Sequence, residues 1–283
     1  MSFLVFGKTG QVAHELAAAA EVTALDRAAA DLMDPAACAR AIKAHTPTAV
    51  INAAGWTAVD DAEDHAAEAQ VINCDAPAAM AAACADLGIP FVHISTDYVF
   101  DGSGTTPFAP DDPVAPLGVY GRTKEAGERA VRAAGGTSVI LRTSWVFSAH
   151  GTNFVKTMLR LGDTRDALTV VDDQIGGPTP AAAIAAACLH IAAQLQDDPT
   201  LAGTYHLSGA PDVSWAGFAT SIFAQAKLCC TVTPIPSTKF PTRALRPANS
   251  RLSCDSLQDT FGIPRPDWRT GLADVLTDLK GTP

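Results

Sequence analysis

Apolar residues in the first half of the chain fall into short runs separated by alanine-rich stretches of helical length. Residues 3–6, 22–25, 49–52, 90–94 and 138–141 are too short for helices, and they read as strands with apolar side chains on both faces. Between them, residues 12–20, a segment opened by Asp34-Pro35, and residues 66–87 and 117–134 predict helices. Asp34 suits an N-cap with Pro35 in the first turn, and Gly88 suits a C-terminal stop. Strands buried on both sides that alternate with helices predict a parallel sheet covered on both faces. The expected fold class is α/β, a doubly wound (Rossmann) sheet.

After about Trp145 the rhythm loosens. Residues 153–161, 181–196 and 215–227 predict helices, 168–171 and 205–207 predict strands, and 174–180 a loop. Residues 234–247 are proline-dense and carry Lys239, Arg243 and Arg246. The expected organisation is a dinucleotide-binding domain over residues 1–150. Residues 151–283 are expected to form mainly a smaller α/β substrate domain, some segments of which can return to the first.

The 283 residues are 48% hydrophobic and 18% charged, which is the balance of a soluble chain with a real core. A formal charge of −10 argues against broad binding to nucleic acid or an anionic membrane. It leaves room for a small anion at a helix N-terminus or beside a few arginines. No charge-free stretch reaches membrane-spanning length, and the apolar start is too short for a signal peptide. The seven cysteines are scattered, with no C-x-x-C pair, and Cys229-Cys230 are adjacent. Free, mostly buried thiols in the cytoplasm are expected. The seven histidines show no metal-ligand spacing, so they read as structural or surface groups and no metal site is assigned.

Three stretches carry candidate chemistry. Gly7-x-x-Gly10-x-x-Ala13 follows the first strand and opens a helix, where glycines let a backbone approach a pyrophosphate and the helix end offers N–H groups. Asp26 ends the second strand, the place for an acid that binds ribose hydroxyls, while Arg27 beside it suits a 2′-phosphate. NADH and NADPH therefore both stay open. Asp31 and Leu32 can flank an adenine. Small residues Ala53, Ala54 and Gly55 after Asn52 suit either a cofactor or close helix packing. The charge run at residues 60–64 reads as a solvated helix start.

Ser95-Thr96-Asp97 ends the fourth strand, at the sheet edge where such folds bind ligands. Tyr120 and Lys124 are four residues apart, so a helix puts phenol and ammonium on one face. The ammonium is expected to lower the phenol's affinity for its proton. Trp145 reads as a sugar or base platform or as core, and Arg246 and Arg251 as pyrophosphate ligands or surface groups.

These residues, with the blocks at 95–102, 142–146, 173–179 and 246–252, resemble the extended short-chain dehydrogenase/reductases, and within them the dTDP-4-dehydrorhamnose reductases, nearly end to end. The resemblance implies an NAD(P)H-dependent oxidoreductase acting on a nucleotide sugar, in the last step toward dTDP-L-rhamnose. It implies Thr96, Tyr120 and Lys124 as the catalytic set and Asn73 as a support for the lysine. Thr96, Asp97, Tyr120 and Trp145 would touch the sugar. The two readings together give a cofactor wall of Gly7, Gly10, Gln11, Val12, Asp26, Arg27, Asp31, Leu32, Ala53, Ala54, Gly55 and Thr57, with Tyr120 and Lys124. Ala13 departs from the usual glycine, and Trp56 stands where relatives vary. Some relatives dimerise through a magnesium site. Glu15 matches in position, but no full ligand set is visible, so magnesium stays unassigned and monomer and homodimer both stay open.

Other activities of the same fold fit less well. A sugar-nucleotide 4,6-dehydratase needs a carboxylate where this chain has Tyr98. An epimerase needs further acid/base groups that cannot be located. A non-catalytic regulatory subunit, like that of methionine adenosyltransferase, would have no need of an intact Thr96, Tyr120 and Lys124.

Overall fold

A computed structural model describes residues 1–281. Its first half alternates strand and helix: β1 (Phe3–Phe6), α1 (Gln11–Ala19), β2 (Val22–Leu25), α2 (Pro35–His45), β3 (Ala49–Asn52), α3 (Ala66–Gln70), α4 (Ala76–Leu87), β4 (Phe91–Thr96), α5 (Val119–Ala133) and β5 (Ser138–Thr143). Local chemistry sets several boundaries. Asp34 accepts a hydrogen bond from the Ala37 N–H at 2.9 Å and caps α2. Gly88 ends α4 in the left-handed conformation. Gly118 is extended, so α5 begins at Val119.

The second half adds β6 (Val146–Phe147), α6 (Phe154–Gly162), β7 (Ala167–Val171), β8 (Ile175–Gly176), β9 (Thr179–Pro180), α7 (Ala181–Asp197), β10 (Gly203–Leu207), β11 (Val213–Ser214), α8 (Trp215–Ala226), β12 (Thr231–Ile235), β13 (Asn249–Ser250), α9 (Asp255–Phe261) and α10 (Trp268–Gly281). The stretch 174–180, expected as a loop, contains β8 and β9. Each is two residues long and pairs with strands distant in sequence.

Six parallel strands form the main sheet in the order β10-β5-β4-β3-β1-β2. The order reverses between β1 and β3, which opens a crevice at the carboxyl ends of those strands. Alternate strand residues enter two cores. Val5, Ile51, Val92 and Leu141 pack with α1, α7 and α9 on one face. Leu4, Phe6, Val50, Phe91 and Ile140 pack with α2 and α4 on the other. From the second half, β10 completes the main sheet and α7 lies on α1 and β3. Elements α6, β7, α8, β12 and α10 form a smaller lobe around Phe147, Phe218, Trp268 and Leu272.

Residues 66–87, expected as one helix, contain a π-helical turn at Val71–Asp75. Such turns gather at functional sites, where they re-aim side chains. Here α5 packs against it so closely that a Cβ on Gly127 would lie 2.0 Å from the Asn73 carbonyl oxygen.

Candidate active site

A cavity of about 660 Å³ opens at the carboxyl ends of β1, β3 and β4, the edge where the strand order reverses. Gly7, Gly10, Gln11, Val12, Ala53, Thr57, Thr96, Asp97, Tyr120, Lys124 and Trp145 are in its walls. A second cleft of about 490 Å³ shares Gly7, Lys8, Thr9, Ala54 and Gly55 with it and continues past Asp26, Arg27, Asp31 and Leu32. One continuous wall thus runs from the acid end of β2 to the phenol on α5.

The glycine turn fits a pyrophosphate. Gly7 has φ +103°, which an L side chain rarely adopts, and Gly10 is an extended N-cap that offers no side-chain acceptor to α1. The first N–H groups of that helix are therefore open to an anion. The Gln11 side chain is engaged elsewhere: its Oε1 accepts from Ser148 at 3.1 Å and Asn153 at 2.8 Å. It ties the glycine turn to the second half of the chain, so only its backbone is free for a ligand.

At the far end of the wall, Asp26 Oδ1 accepts the N–H groups of Ala28 and Ala29, each at 3.1 Å. Its Oδ2 lies 3.7 Å from Lys8 Nζ, and Arg27 lies 3.5 Å from Asp31. An acid for a ribose diol and two cations for a phosphate stand side by side.

Tyr120 and Lys124 lie one turn apart on α5, and Thr96 ends β4 beside them. Burial pushes the Tyr120 phenol up to about 12, while a hydrogen bond with Thr96 pulls the other way. The expected lowering by Lys124 is not what sets this phenol. Lys124 Nζ donates to the Ile94 carbonyl at 2.7 Å and lies 3.3 Å from His93 Nε2. Burial brings Lys124 down to about 8, against the pull of Glu128. The pair is thus a firmly protonated phenol next to a loosely held ammonium.

Asp97 is buried against Thr96, whose hydroxyl donates to Oδ1 at 3.1 Å, while Oδ2 has no partner. Burial raises its carboxyl to about 6, and the nearby hydroxyls of Ser250 and Thr96 restrain the rise. A buried acceptor with no donor calls for one from a ligand hydroxyl. Trp145 stacks on Trp215 with ring centroids 3.5 Å apart, and its φ of +48° is strained for a non-glycine residue. That strain turns an indole pair into the cavity wall.

Several expectations meet a different geometry. Asn73 does not touch Lys124: its amide accepts from the Trp56 N–H at 2.8 Å and donates to Trp56 O and Thr123 Oγ1. It fastens the 55–57 turn to α5 instead. Arg246 and Arg251 do not wall the cavity. Arg246 pairs with Asp60 at 2.7 Å, and Arg251 with Asn249 at 3.0 Å and Asp212 at 3.7 Å. The acidic run at 60–64 is not merely solvated: Asp60 and Asp64 hold Arg246 and Arg243, and Glu63 accepts the first N–H of α5 from Val119 at 2.8 Å.

Sequence reasoning also missed the residues behind the site. His93 lies in an apolar strand, where a lone histidine looks like any core residue. Glu128, one turn beyond Lys124, is fully buried and forked by Arg142 at 2.8 and 2.7 Å, with Ser95 donating at 2.6 Å. These bonds hold its carboxyl below the usual range although burial alone would raise it. The signal for Glu128 was its i+4 spacing from Lys124, which extends the Tyr120–Lys124 face by another turn. Glu15 lies 4.0 Å from His150, and no cluster of three metal-ligating side chains occurs among the described residues.

Residues 1–280 match the family model for the RmlD substrate binding domain. A dTDP-4-dehydrorhamnose reductase from Sinorhizobium fredii is 45% identical over 282 residues, which is 95% of this chain and 94% of that protein. A solved dTDP-4-dehydrorhamnose reductase from Clostridium acetobutylicum superposes with a TM-score of 0.92 at 36% identity, covering 99% of this chain and 100% of that one. Another from Bacillus anthracis, solved in complex with NADP, gives a TM-score of 0.91 at 32% identity, with 98% and 99% covered.

Proposed function

We propose that this chain, which belongs to the RmlD substrate binding domain family of dTDP-4-dehydrorhamnose reductases, reduces the C4 ketone of dTDP-4-dehydro-L-rhamnose to dTDP-L-rhamnose at the expense of NADPH or NADH. The observation that carries this reading is the shared cavity wall of Thr96, Tyr120 and Lys124 at the sheet's reversal point, continuous with the glycine turn and Asp26. The reductases of Sinorhizobium and Clostridium, alike over nearly their whole length, support the same substrate.

Gly7, Gly10 and the N-terminus of α1 would hold the pyrophosphate, and Asp26 with Lys8 and Arg27 the adenosine end. A reduced nicotinamide held along this wall would supply the hydride for the carbonyl carbon. Tyr120 gives its proton to the alkoxide that forms, and the Thr96 hydroxyl, turned from Asp97, donates a hydrogen bond to the same oxygen. A phenol held at about 12 stays protonated at neutral pH, as a proton donor should. Asp97 Oδ2 accepts a sugar hydroxyl, and the Trp145–Trp215 pair offers a flat apolar wall. With this geometry prebuilt, orientation supplies much of the rate. The seven unpaired cysteines support a place in the reducing cytoplasm. Among the described residues no helix is long and apolar enough to cross a membrane.

The test is NADPH oxidation by the purified protein with dTDP-4-dehydro-L-rhamnose. Turnover is expected, and Tyr120→Phe should cut it by about 10²–10⁴-fold while dinucleotide binding, read by fluorescence, is kept. Undiminished turnover in Tyr120→Phe would remove the phenol from the mechanism.

A further inference from the structure

Asn52, His93 and Lys124 form a buried chain from the end of β3 through β4 to α5. The amide at its far end has a fixed orientation, because Ala54 donates its backbone N–H to Asn52 Oδ1 at 3.1 Å. The other amide atom, Nδ2, is only a donor, and it lies 3.1 Å from His93 Nδ1. Nδ1 therefore accepts, and the ring proton sits on Nε2. That nitrogen faces Lys124 Nζ at 3.3 Å. An ammonium has donors and no acceptor, so donor meets donor. A neutral amine has a lone pair and completes the chain. Moving the ring proton to Nδ1 shifts the conflict to Asn52, and flipping the amide shifts it to Ala54. Each arrangement with an ammonium sets one donor of this chain against another, and the amine removes that conflict.

We propose that Asn52 and His93 are positioning residues that loosen the hold of Lys124 on its proton, acting through the Nε2–H tautomer of His93. The proposal rests on the reductase reading above. When Tyr120 protonates the alkoxide, a phenolate remains. The Lys124 ammonium passes a proton toward it: the N–H bond breaks, its electron pair stays on Nζ, and that pair accepts from His93 Nε2–H. The phenol is restored, and the amine regains a proton from water. The titratable groups facing Lys124 are His93 on β4, Glu128 one turn on along α5 and Tyr120 one turn back, with Asp97 acting on Tyr120 from beyond β4. Behind His93, from β3, stands the neutral Asn52. Glu128 favours the ammonium, yet it is already shared with Arg142 and Ser95.

Two measurements test this, one of them independent of turnover. The full-length protein labelled with ¹⁵N-histidine is followed by NMR across neutral pH. Two buried imidazoles should stay neutral throughout, His93 and His206, both held down first by burial. His206 faces the Phe108 carbonyl with Nδ1 at 3.1 Å and the Arg142 guanidinium with Nε2 at 3.3 Å, so it must be the Nδ1–H tautomer. The proposal expects one imidazole of each tautomer, and two Nδ1–H rings would overturn it. The second measurement is the high-pH limb of kcat/KM. His93→Gln gives the ammonium a carbonyl acceptor, and Asn52→Asp gives an Nδ1–H ring one. Both should move the limb upward, by a factor of about three or more in proton affinity. A limb that stays in place in both variants, with the rate lowered equally at every pH, would mean a structural role only. A wild-type protein without turnover would sink the reductase reading and leave the tautomer result to decide this one.

Discussion

Asp97 shows how much chemistry a single buried carboxyl can store. One oxygen is held by Thr96, the other has no partner, and burial raises the group to about 6. A folded-state value above the unfolded one means a contribution to stability that is present at low pH and lost as pH rises through about 6. Asp97→Asn should therefore stabilise the protein at pH 7 by about 1–3 kcal/mol. The gain should shrink at pH 5, and turnover should fall because the sugar loses its acceptor. Urea unfolding at both pH values checks this, and an equal effect at both would contradict it. At this scale the sequence was legible where spacing encodes geometry: Tyr120 and Lys124 at i,i+4, and Thr96-Asp97 at a strand end. It was opaque where a partner arrives from another element, as His93 does for Lys124, or where a charge is taken by a distant acid, as Asp60 takes Arg246.

At the scale of elements, α5 carries the phenol and the amine, and two small residues let it sit where it does. A Cβ on Gly121 would lie 2.2 Å from the Tyr98 carbonyl oxygen, and one on Gly127 2.0 Å from that of Asn73. Both obstacles are backbone, so they yield only if the helix moves. Gly127→Ala is expected to destabilise the fold by at least about 1–3 kcal/mol, despite alanine's better helix propensity. Thermal or urea unfolding measures it, and a neutral or stabilising result would show that α5 does not rest tightly on the π turn. Helix periodicity predicted α5 and the segment against it, but one extra residue in a helical turn leaves no mark in an alanine-rich pattern. The π turn was therefore invisible, and with it the reason for Gly127. The two-residue strands β8 and β9 were unreadable for a related reason: they exist only because distant segments meet them.

For the whole molecule, the alternation of buried strands and helices was enough to specify a doubly wound sheet, and the glycine turn marked its first crossover. What it could not specify is that β10 and α7, from the second half, complete the first sheet, since their patterns resemble those of the smaller lobe. The finished core buries two neutral imidazoles. Burial first, then Lys124 for His93 and Arg142 for His206, holds both below the ordinary histidine value, His206 to about 3. A depressed folded value gives stability that is complete above the unfolded value, near 6.5, and lost as pH falls below it. Unfolding free energy should thus begin to decline from about pH 6.5, before most carboxylates protonate. Denaturant titrations from pH 8 to 4 would show it, and a plateau held down to the carboxylate range would contradict it.

The central claim is that the wall from Asp26 to Tyr120 brings a reduced nicotinamide to the C4 carbonyl of a dTDP-4-keto sugar. The most direct measurement is the fate of deuterium from NADPH carrying it at both C4 positions of its nicotinamide ring, incubated with the protein and dTDP-4-dehydro-L-rhamnose. The account predicts dTDP-L-rhamnose carrying one deuterium, bonded to sugar C4. Label appearing at another carbon, or sugar converted with none, would contradict it.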